Sequence, residues 1–282
     1  MPHNLRRINV WRWWRRLGVT AVALFYLAPL LWQVLTSFKT NADIAALPLR
    51  YWPGHWTLEH YQELFQRRPM LSYFGNSFLV AALSALLSLA IGAPAAYSLS
   101  RENLPRRSLW LSLITLTAFF PYMFVFLGLL EWVRAWGLGD TYLALIVPYT
   151  AINLPLTILV LRSFFQQLPP DLEDAGRIDG YSPWGVLVKI LLPLTLPALV
   201  AAGILAFIFA WNEYLLALSF ISREALKTIP VATAAIAGSS LFETPYGPIA
   251  AATVLGSFPL VILVLFFQRR LTQGLTAGAV KG

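Results

Sequence analysis

The chain has 282 residues, 58% of them hydrophobic and 12% charged, with a net charge of +8; a typical soluble domain carries about 25% charged residues. There is no cysteine, which excludes disulfides and thiol chemistry. A soluble helical protein would keep a polar stripe every 3.6 residues along its core helices, and the apolar runs here keep almost none, so the composition describes a membrane protein.

Six uncharged stretches of 21 to 32 residues punctuate the chain. Crossing a hydrocarbon core of about 30 Å takes about 20 helical residues, so each stretch is long enough for one span. The predicted fold is all-α and polytopic, with six transmembrane helices near 18–38, 76–98, 108–130, 142–161, 191–211 and 248–267 in a single transmembrane domain, 1–282, without a soluble module at either end. The first span follows a basic segment, Arg6 to Arg16, and continues past Pro29 to residue 38. A secretory signal has an apolar region of only about 7–15 residues, so the segment reads as an uncleaved span.

The loop 39–75, with WPGHW at 52–56, is polar and aromatic and predicts a small cap containing short helices, one starting at Thr57. Its His55 and His60 lack further ligands and read as plain loop residues rather than a metal pair. A second loop, 222–247, rich in Thr, Ala, Ser and Gly, is expected to reach outwards between the fifth and sixth spans. The tail 271–282 holds three glycines and no apolar run, and reads from composition as a disordered end.

Charge placement orients the chain. With the N-terminus inside, the inner segments hold 14 Lys and Arg and the outer segments seven. This positive-inside bias predicts both termini in the cytoplasm and accounts for the basic excess without nucleic acid.

Between the fourth and fifth spans lies the charged, glycine-punctuated stretch EDAGRIDGYSPWGVLVKILLP, 173–193. Pro169 and Pro170 cannot continue a helix but can begin one. Asp171, Glu173 and Asp174 suit a first turn, where the helix dipole favours acids. Gly180 suits a stop, and Ser182-Pro183 a cap and first residue of the next helix. The prediction is a short helix, 171–179, along the inner membrane face. Leu172, Ala175, Gly176 and Asp179 share one stripe of little bulk, and Gly176 costs about 1 kcal/mol of helix stability relative to alanine. Such a flat patch suits close approach by another protein; an ordinary surface helix fits the residues equally well.

Polar groups within or at the ends of spans mark pathways by default, because lipid exposure is costly. The substrate-pathway candidates are Tyr97, Tyr122, Asn153, Trp211, Asn212 and Glu213. Asn153, in INLP, alternatively serves only backbone groups freed by Pro155. Glu213 is placed at the outer rim, where it can simply reach water. Most tryptophans read as interfacial or packing residues. No GxxxxGK[ST] phosphate loop occurs, so this chain is not an ATPase, and no nucleophile–base constellation stands out.

The stretch after the fourth span resembles the signature of ATP-binding-cassette (ABC) importer permeases: EAA, three residues, G, nine residues, then I-x-L-P. Asp174-Ala175-Gly176, Gly180, Ile190, Leu192 and Pro193 occupy those positions, with Glu173 just before; Asp174 replaces the glutamate and Gly176 the second alanine. PLLWQVLTSFKT (29–40), NSFLVAALSALLSLAIGAPAAYSLSR (76–101), WNEYLLAL (211–218) and GLTAGAVKG (274–282) extend the resemblance to the MalG-like branch of maltose-type carbohydrate importers.

That resemblance implies a type I ABC importer permease fold. It also implies a non-enzymatic subunit that pairs with a second, homologous permease and two ABC ATPase subunits. Those ATPases would bind ATP and Mg; this chain itself would hold no cofactor and no metal. An extracytoplasmic binding protein would deliver a carbohydrate, the loop around 234–247 would probe it, and the cell inner membrane would be the location. The coupling residues would be Glu173, Asp174, Ala175, Gly176, Asp179, Gly180, Ile190, Leu192 and Pro193. Gly274, Leu275, Thr276, Gly278 and Lys281 in the tail would contact the ATPases. The rival class is an ion-driven secondary carrier, which commonly shows inverted repeats and buried midplane acids; neither is evident in the sequence.

Overall fold

A computed structural model describes residues 4–101, 104–237 and 244–276, and side chains within 11–101, 104–236 and 244–268. The chain divides into two compact units, 1–68 with 233–258, and 69–232 with 259–282.

In the first unit, α1 (Asn4–Ser37) carries the first apolar stretch, and its side chains from Trp11 to Trp32 are exposed throughout. Shelter begins only at its C-terminal end, where Thr36, Ser37 and Lys39 are buried. The cap there is built on polar bonds. Thr40 Oγ1 accepts from Asp43 N (3.2 Å) and starts α2 (Asn41–Ile44). Lys39 Nζ donates to the Arg50 carbonyl (2.7 Å) and lies 4.2 Å from the Trp32 ring centroid; burial holds its pKa below the usual lysine value. Asp43 accepts from Arg50 Nη1 (2.7 Å) and Gly54 N (2.9 Å), which hold its carboxyl below the usual range. Helix α3 (Glu59–Arg67) begins two residues later than predicted, because Thr57 Oγ1 accepts from Glu59 N (3.1 Å) in a local turn. His60 is not a plain loop residue. It is fully buried, its Nε2 donates to the Lys39 carbonyl (2.8 Å), and Gly247 presses on its ring so closely that a Cβ there would lie 2.1 Å from Nε2.

The second unit centres on α4 (Met70–Ser100). Its buried face is made of small residues, among them Ala81, Ser84, Ala85, Ser88, Gly92, Ala93 and Ala96. Small side chains let helices approach closely where lipid removes the usual hydrophobic drive for association. A Cβ on Gly92 would meet Thr157 Cγ2 at 2.9 Å. Two buried serines of α4 are satisfied along the helix itself: Ser84 Oγ donates to the Val80 carbonyl (2.7 Å) and Ser88 Oγ to that of Ser84 (2.7 Å).

Two predicted spans are broken rather than continuous. Helix α5 (Arg107–Phe119) stops before Pro121, a 3₁₀ turn (Tyr122–Val125) follows, and α6 (Phe126–Ala135) leaves at 90°. Helix α7 (Leu143–Phe165) is unbroken despite Pro148 and Pro155, and α8 (Asp171–Ile178) follows it. The fifth span begins eight residues early, as α9 (Pro183–Val186). It passes through a π-helical turn (Leu187–Leu191) and α10 (Leu192–Leu194), then bends by 82° into α11 (Leu196–Asn212). Pro193 and Pro197 flank that bend, where each removes an amide hydrogen, and Thr195 Oγ1 donates to the Leu191 carbonyl (2.9 Å).

Short helices α12 (Leu215–Phe220) and α13 (Ile229–Ala237) precede α14 (Tyr246–Thr276), which runs past the predicted end of the sixth span. Among the described residues, four helices are long and apolar enough to cross a membrane, and counting each bent pair as one span makes six. Within the second unit, the N-terminal end of α4 is pinned to the segment after α12. Asn76 Nδ2 donates to the carbonyls of Ala225 (2.8 Å) and Lys227 (3.0 Å), its Oδ1 accepts from Tyr142 (2.7 Å), and Ser77 Oγ accepts from Ile229 N (2.8 Å). Asp140, at a positive φ of 56°, accepts from Ser222 N (2.6 Å), Ser222 Oγ (2.6 Å) and Arg223 N (2.7 Å).

Candidate functional site

Helix α8 forms where the sequence predicts it. Its acids crowd the first turn, and Gly180 ends it at φ +84°, a conformation glycine adopts without strain. Gly180 N donates to the Arg177 carbonyl and Tyr181 N to that of Gly176 (both 3.0 Å), a closing pattern that satisfies the last turn. Asp179 caps the helix, with its N–H on the Ala175 carbonyl (3.0 Å). Ser182 Oγ then accepts from Gly185 N (3.2 Å) with Pro183 at the first helical position, so α8 and α9 are joined by a short turn.

The faces of α8 differ from the sequence reading. The flat stripe expected on one side is split: Gly176 is buried and Ala175 exposed. Gly176 is small because its own chain packs there, since a Cβ would lie 2.7 Å from Ile190 Cδ1 and 3.0 Å from Val186 Cγ2. Thus Ile190, from the signature, supports α8 from behind, while Leu192 and Pro193 sit at the bend of the fifth span. The outward face is Asp171, Asp174, Ala175 and Ile178, at helical spacing, and Ile178 is 86% exposed. Sequence reasoning passed over Ile178; an isolated large apolar residue three positions after Ala175 was the available signal.

Glu173 is the buried acid of α8, 6% exposed. Tyr97 donates its hydroxyl to Oε2 (2.8 Å), and the Arg101 guanidinium pairs with the same carboxylate without a well-aligned hydrogen bond. Arg177, one turn on, is 3.9 Å away. Tyr97, expected in the pathway, therefore belongs with α8: it ties that helix to the last turn of α4. The same turn is capped by two guanidiniums, Arg107 Nε (3.0 Å) and Arg162 Nε (3.1 Å), both donating to the Leu99 carbonyl, where the helix dipole favours cations. These arginines were read only as orientation signals in the sequence.

The remaining pathway candidates separate. Glu213 is not at a wet rim. It is 4% exposed, accepts from Tyr149 Oη (2.5 Å), and caps α12 by accepting from Leu216 N (2.8 Å) and Ala217 N (3.1 Å). The chain leaves α11 at Asn212 and restarts at Leu215, which turns the carboxylate inwards. Trp211 is buried and stacked on Phe207 (5.7 Å), in the core rather than a pathway, and the exposed Asn212 donates back to the Ile208 carbonyl (2.8 Å). Only Tyr122 and Asn153 come together, on the wall of a cavity of about 520 Å³ beside the α5–α6 break. Asn153 Nδ2 donates to the Tyr149 carbonyl (2.9 Å), not to the Ala151 carbonyl that Pro155 frees. Among the described residues no three of His, Cys, Asp and Glu converge as metal ligands. Tail residues Gly274, Leu275 and Thr276 continue the α14 backbone; Gly278 and Lys281, and positions 238–243 of the 234–247 loop, lie outside the described residues.

Among the described residues, four apolar helices, or six spans with each bent pair counted as one, together with the braced helix α8, describe a multi-pass membrane protein. Residues 88–277 match the family described as binding-protein-dependent transport system inner membrane component, and the chain belongs to that family. It is 44% identical over 256 residues to the sulfoquinovosyl glycerol transport system permease protein SmoH of Agrobacterium fabrum, covering 91% of this chain and 89% of that protein. It is 38% identical over 275 residues to the trehalose/maltose transport system permease protein MalG of Thermococcus litoralis, covering 94% and 95%. The fold is similar to a chain of a bacterial ABC transporter involved in the import of alginate, with a TM-score of 0.82 at 20% identity, over 95% of this chain and 99% of that one. The protein is thus a multi-pass inner-membrane permease component of an ABC importer supplied by a binding protein, a transport subunit rather than an enzyme.

Proposed function

We propose that this chain is one of two homologous permease subunits of a carbohydrate importer, and that α8 is the element through which ATPase subunits drive it. The observation that carries this reading is the two-sidedness of α8. Glu173 and Gly176 lock one face to the bundle, while Asp171, Asp174, Ala175 and Ile178 are exposed on the other. A helix braced from behind that exposes two acids, a small residue and one apolar residue suits docking to a rigid partner that pushes. In this reading both termini are cytoplasmic, ATP and Mg are bound by two partner ATPases, and an extracytoplasmic binding protein presents the substrate. The tail from Gly274 through Gly278 and Lys281 reaches the ATPases. A sugar or related glycoside as cargo is supported by what the relatives are named for: sulfoquinovosyl glycerol in one, trehalose and maltose in another.

The test is reconstitution in liposomes, of this chain alone and of the full assembly with partner permease, ATPases and binding protein. Sugar uptake that requires ATP and every subunit supports the reading. Uptake by this chain alone, driven by an ion gradient, would make it a secondary carrier and end the proposal.

A further inference from the structure

Four arginines gather where three apolar helices end: α4 stops at Ser100, α5 starts at Arg107 and α7 stops at Phe165. A cavity of about 660 Å³ lies there, and Arg101, Arg107 and Arg177 line it together with Glu173 and Asp174. Arg162 is held against Arg107 by shared acceptors. The Leu99 carbonyl takes an Nε donor from each, and the Gln166 amide oxygen, turned towards them, takes Nη2 of Arg107 (3.1 Å) and of Arg162 (2.9 Å). Both acceptors are neutral, and neither arginine makes an ion pair among the described residues. The two carboxylates on the wall are already answered, Glu173 by Tyr97 and Arg101, and Asp174 by Arg177 at 3.7 Å. Arg101 keeps a buried Nε without a hydrogen-bond partner. Four guanidiniums thus stand against two carboxylates. Capping α4 accounts for one cation at the Leu99 carbonyl; a second like charge held beside it is repelled and calls for an anion.

We propose that this cavity binds a phosphate group, gripped by Arg107 and Arg162 with Arg101 at its edge. Planar guanidinium forks match phosphate oxygens in pairs, which an ammonium does not. That chemistry is offered both by a phospholipid headgroup and by a soluble phosphate. The helix ends set the cavity at headgroup depth, where basic pockets between spans hold anionic lipids. Arg107 also begins a second groove, of about 650 Å³, which follows α5 past Leu111 and Leu116 to Phe119 and has no other charged residue on it. From Arg107 to Phe119 the helix rises about 18 Å, close to the thickness of one leaflet, about 15 Å. A phospholipid with its phosphate on the arginines and an acyl chain along α5 fills both spaces. The inference stands apart from the role proposed for α8 as an ATPase contact.

The chain has no native cysteine, so Ser98→Cys places a unique thiol on the cavity wall, and Ala175→Cys an exposed one on the outer face of α8. The full chain, stripped of lipid in a nonionic, phosphate-free detergent, is treated with uncharged N-ethylmaleimide. Phosphatidylglycerol, diacylglycerol and inorganic phosphate are added separately at constant ionic strength, and modification is followed by mass. Phosphatidylglycerol at ten times its dissociation constant should slow modification of Ser98→Cys by about tenfold and leave Ala175→Cys within about twofold. Diacylglycerol, which lacks the phosphate, should protect neither thiol. Protection by the phospholipid alone identifies a headgroup, and protection by inorganic phosphate identifies a site open to soluble phosphates; both support the proposal. Adding Arg107→Gln should cut the protection to about twofold or less, and Arg107→Lys, which keeps the charge without the fork, should restore part of it. The Ser98→Cys comparison leaves every arginine in place, so it decides the matter even where Arg107→Gln fails to fold. Protection by neither phosphate compound, equal protection by diacylglycerol, or undiminished protection in a folded Arg107→Gln overturns the proposal. Protection that appears only when ATPase subunits are added would give the arginines to a partner's carboxylate, and overturns it as well.

Discussion

Replacing Glu173 by glutamine removes the charge that holds α8 to α4 while keeping a group Tyr97 can donate to. The carboxylate side chain is 7% exposed and that of its Arg101 partner 21%. Breaking a buried ion pair costs about 3–5 kcal/mol, and Arg101's partial access to water places the expected loss near the lower end, about 3 kcal/mol. Tyr97→Phe removes a hydrogen bond to a charged acceptor, worth about 1.5–3 kcal/mol. Because Tyr97 and Arg101 meet on the same carboxylate, the two substitutions should not add. A double-mutant cycle on thermal unfolding in nanodiscs should give a coupling energy of at least about 1 kcal/mol, against about 0.5 kcal/mol or less for independent sites. Uptake per ATP hydrolysed by the assembly should fall in both single variants, because force applied to α8 would no longer reach α4 rigidly. Additive stability effects together with unaltered uptake per ATP would show that the contact is incidental and refute the bracing argument.

Ala175→Trp adds bulk on the exposed face, so the chain should insert and melt as the wild type does while substrate-stimulated ATPase activity of the assembly falls at least about tenfold; normal stimulation would remove α8 from the interface. Gly176→Val, one residue on, should instead destabilise the chain by about 1–3 kcal/mol through overpacking against Ile190 and Val186, read as a lowered unfolding temperature. Asp140 is held below the usual carboxylate range, chiefly by the Ser222 hydroxyl and then the Arg223 amide. A depressed folded-state pKa contributes stability that is present above the ordinary carboxylate pKa of about 4 and is lost as pH falls through the lower folded value. The gap in unfolding temperature between wild type and Asp140→Asn should therefore be constant from pH 7 to 5 and close on further acidification; a gap independent of pH would mean that the ionised form is not what the loop uses.

The spans were legible because lipid imposes a length rule that charge spacing reports directly, and α8 because Pro170, the early acids and Gly180 each act locally. The two breaks were not. Proline does not announce them, for Pro29, Pro94, Pro148, Pro155 and Pro259 all sit inside unbroken helices; Pro121, Pro193 and Pro197 break theirs only in combination with packing that sequence does not display. Periodicity grouped Ala175 with Gly176 but could not say which of them faced inwards, since a small residue serves a tight internal contact and a docking patch equally well. Glu213 was misplaced because its distance along the chain from a span end was taken as depth, whereas the chain's departure from α11 turns its side chain back into the bundle. Tyr97 was given to the pathway because its acidic partner lies 76 residues away in sequence.

The bareness of α1 has a mechanical consequence. Its uncharged part, from Leu17 to Ser37, is 21 residues long, about 32 Å of helix, while a typical hydrocarbon core is about 30 Å thick. Burying that length requires the rod to lean by about 20° from the bilayer normal, and a thicker membrane would stand it more upright. Among the described residues of its own unit, the rod is fastened at the Ser37 end, where Ser37 Oγ meets Tyr61 Oη at 2.7 Å. Membrane thickness therefore sets the inclination of this helix, and with it where the arginine- and tryptophan-bearing end meets the headgroups.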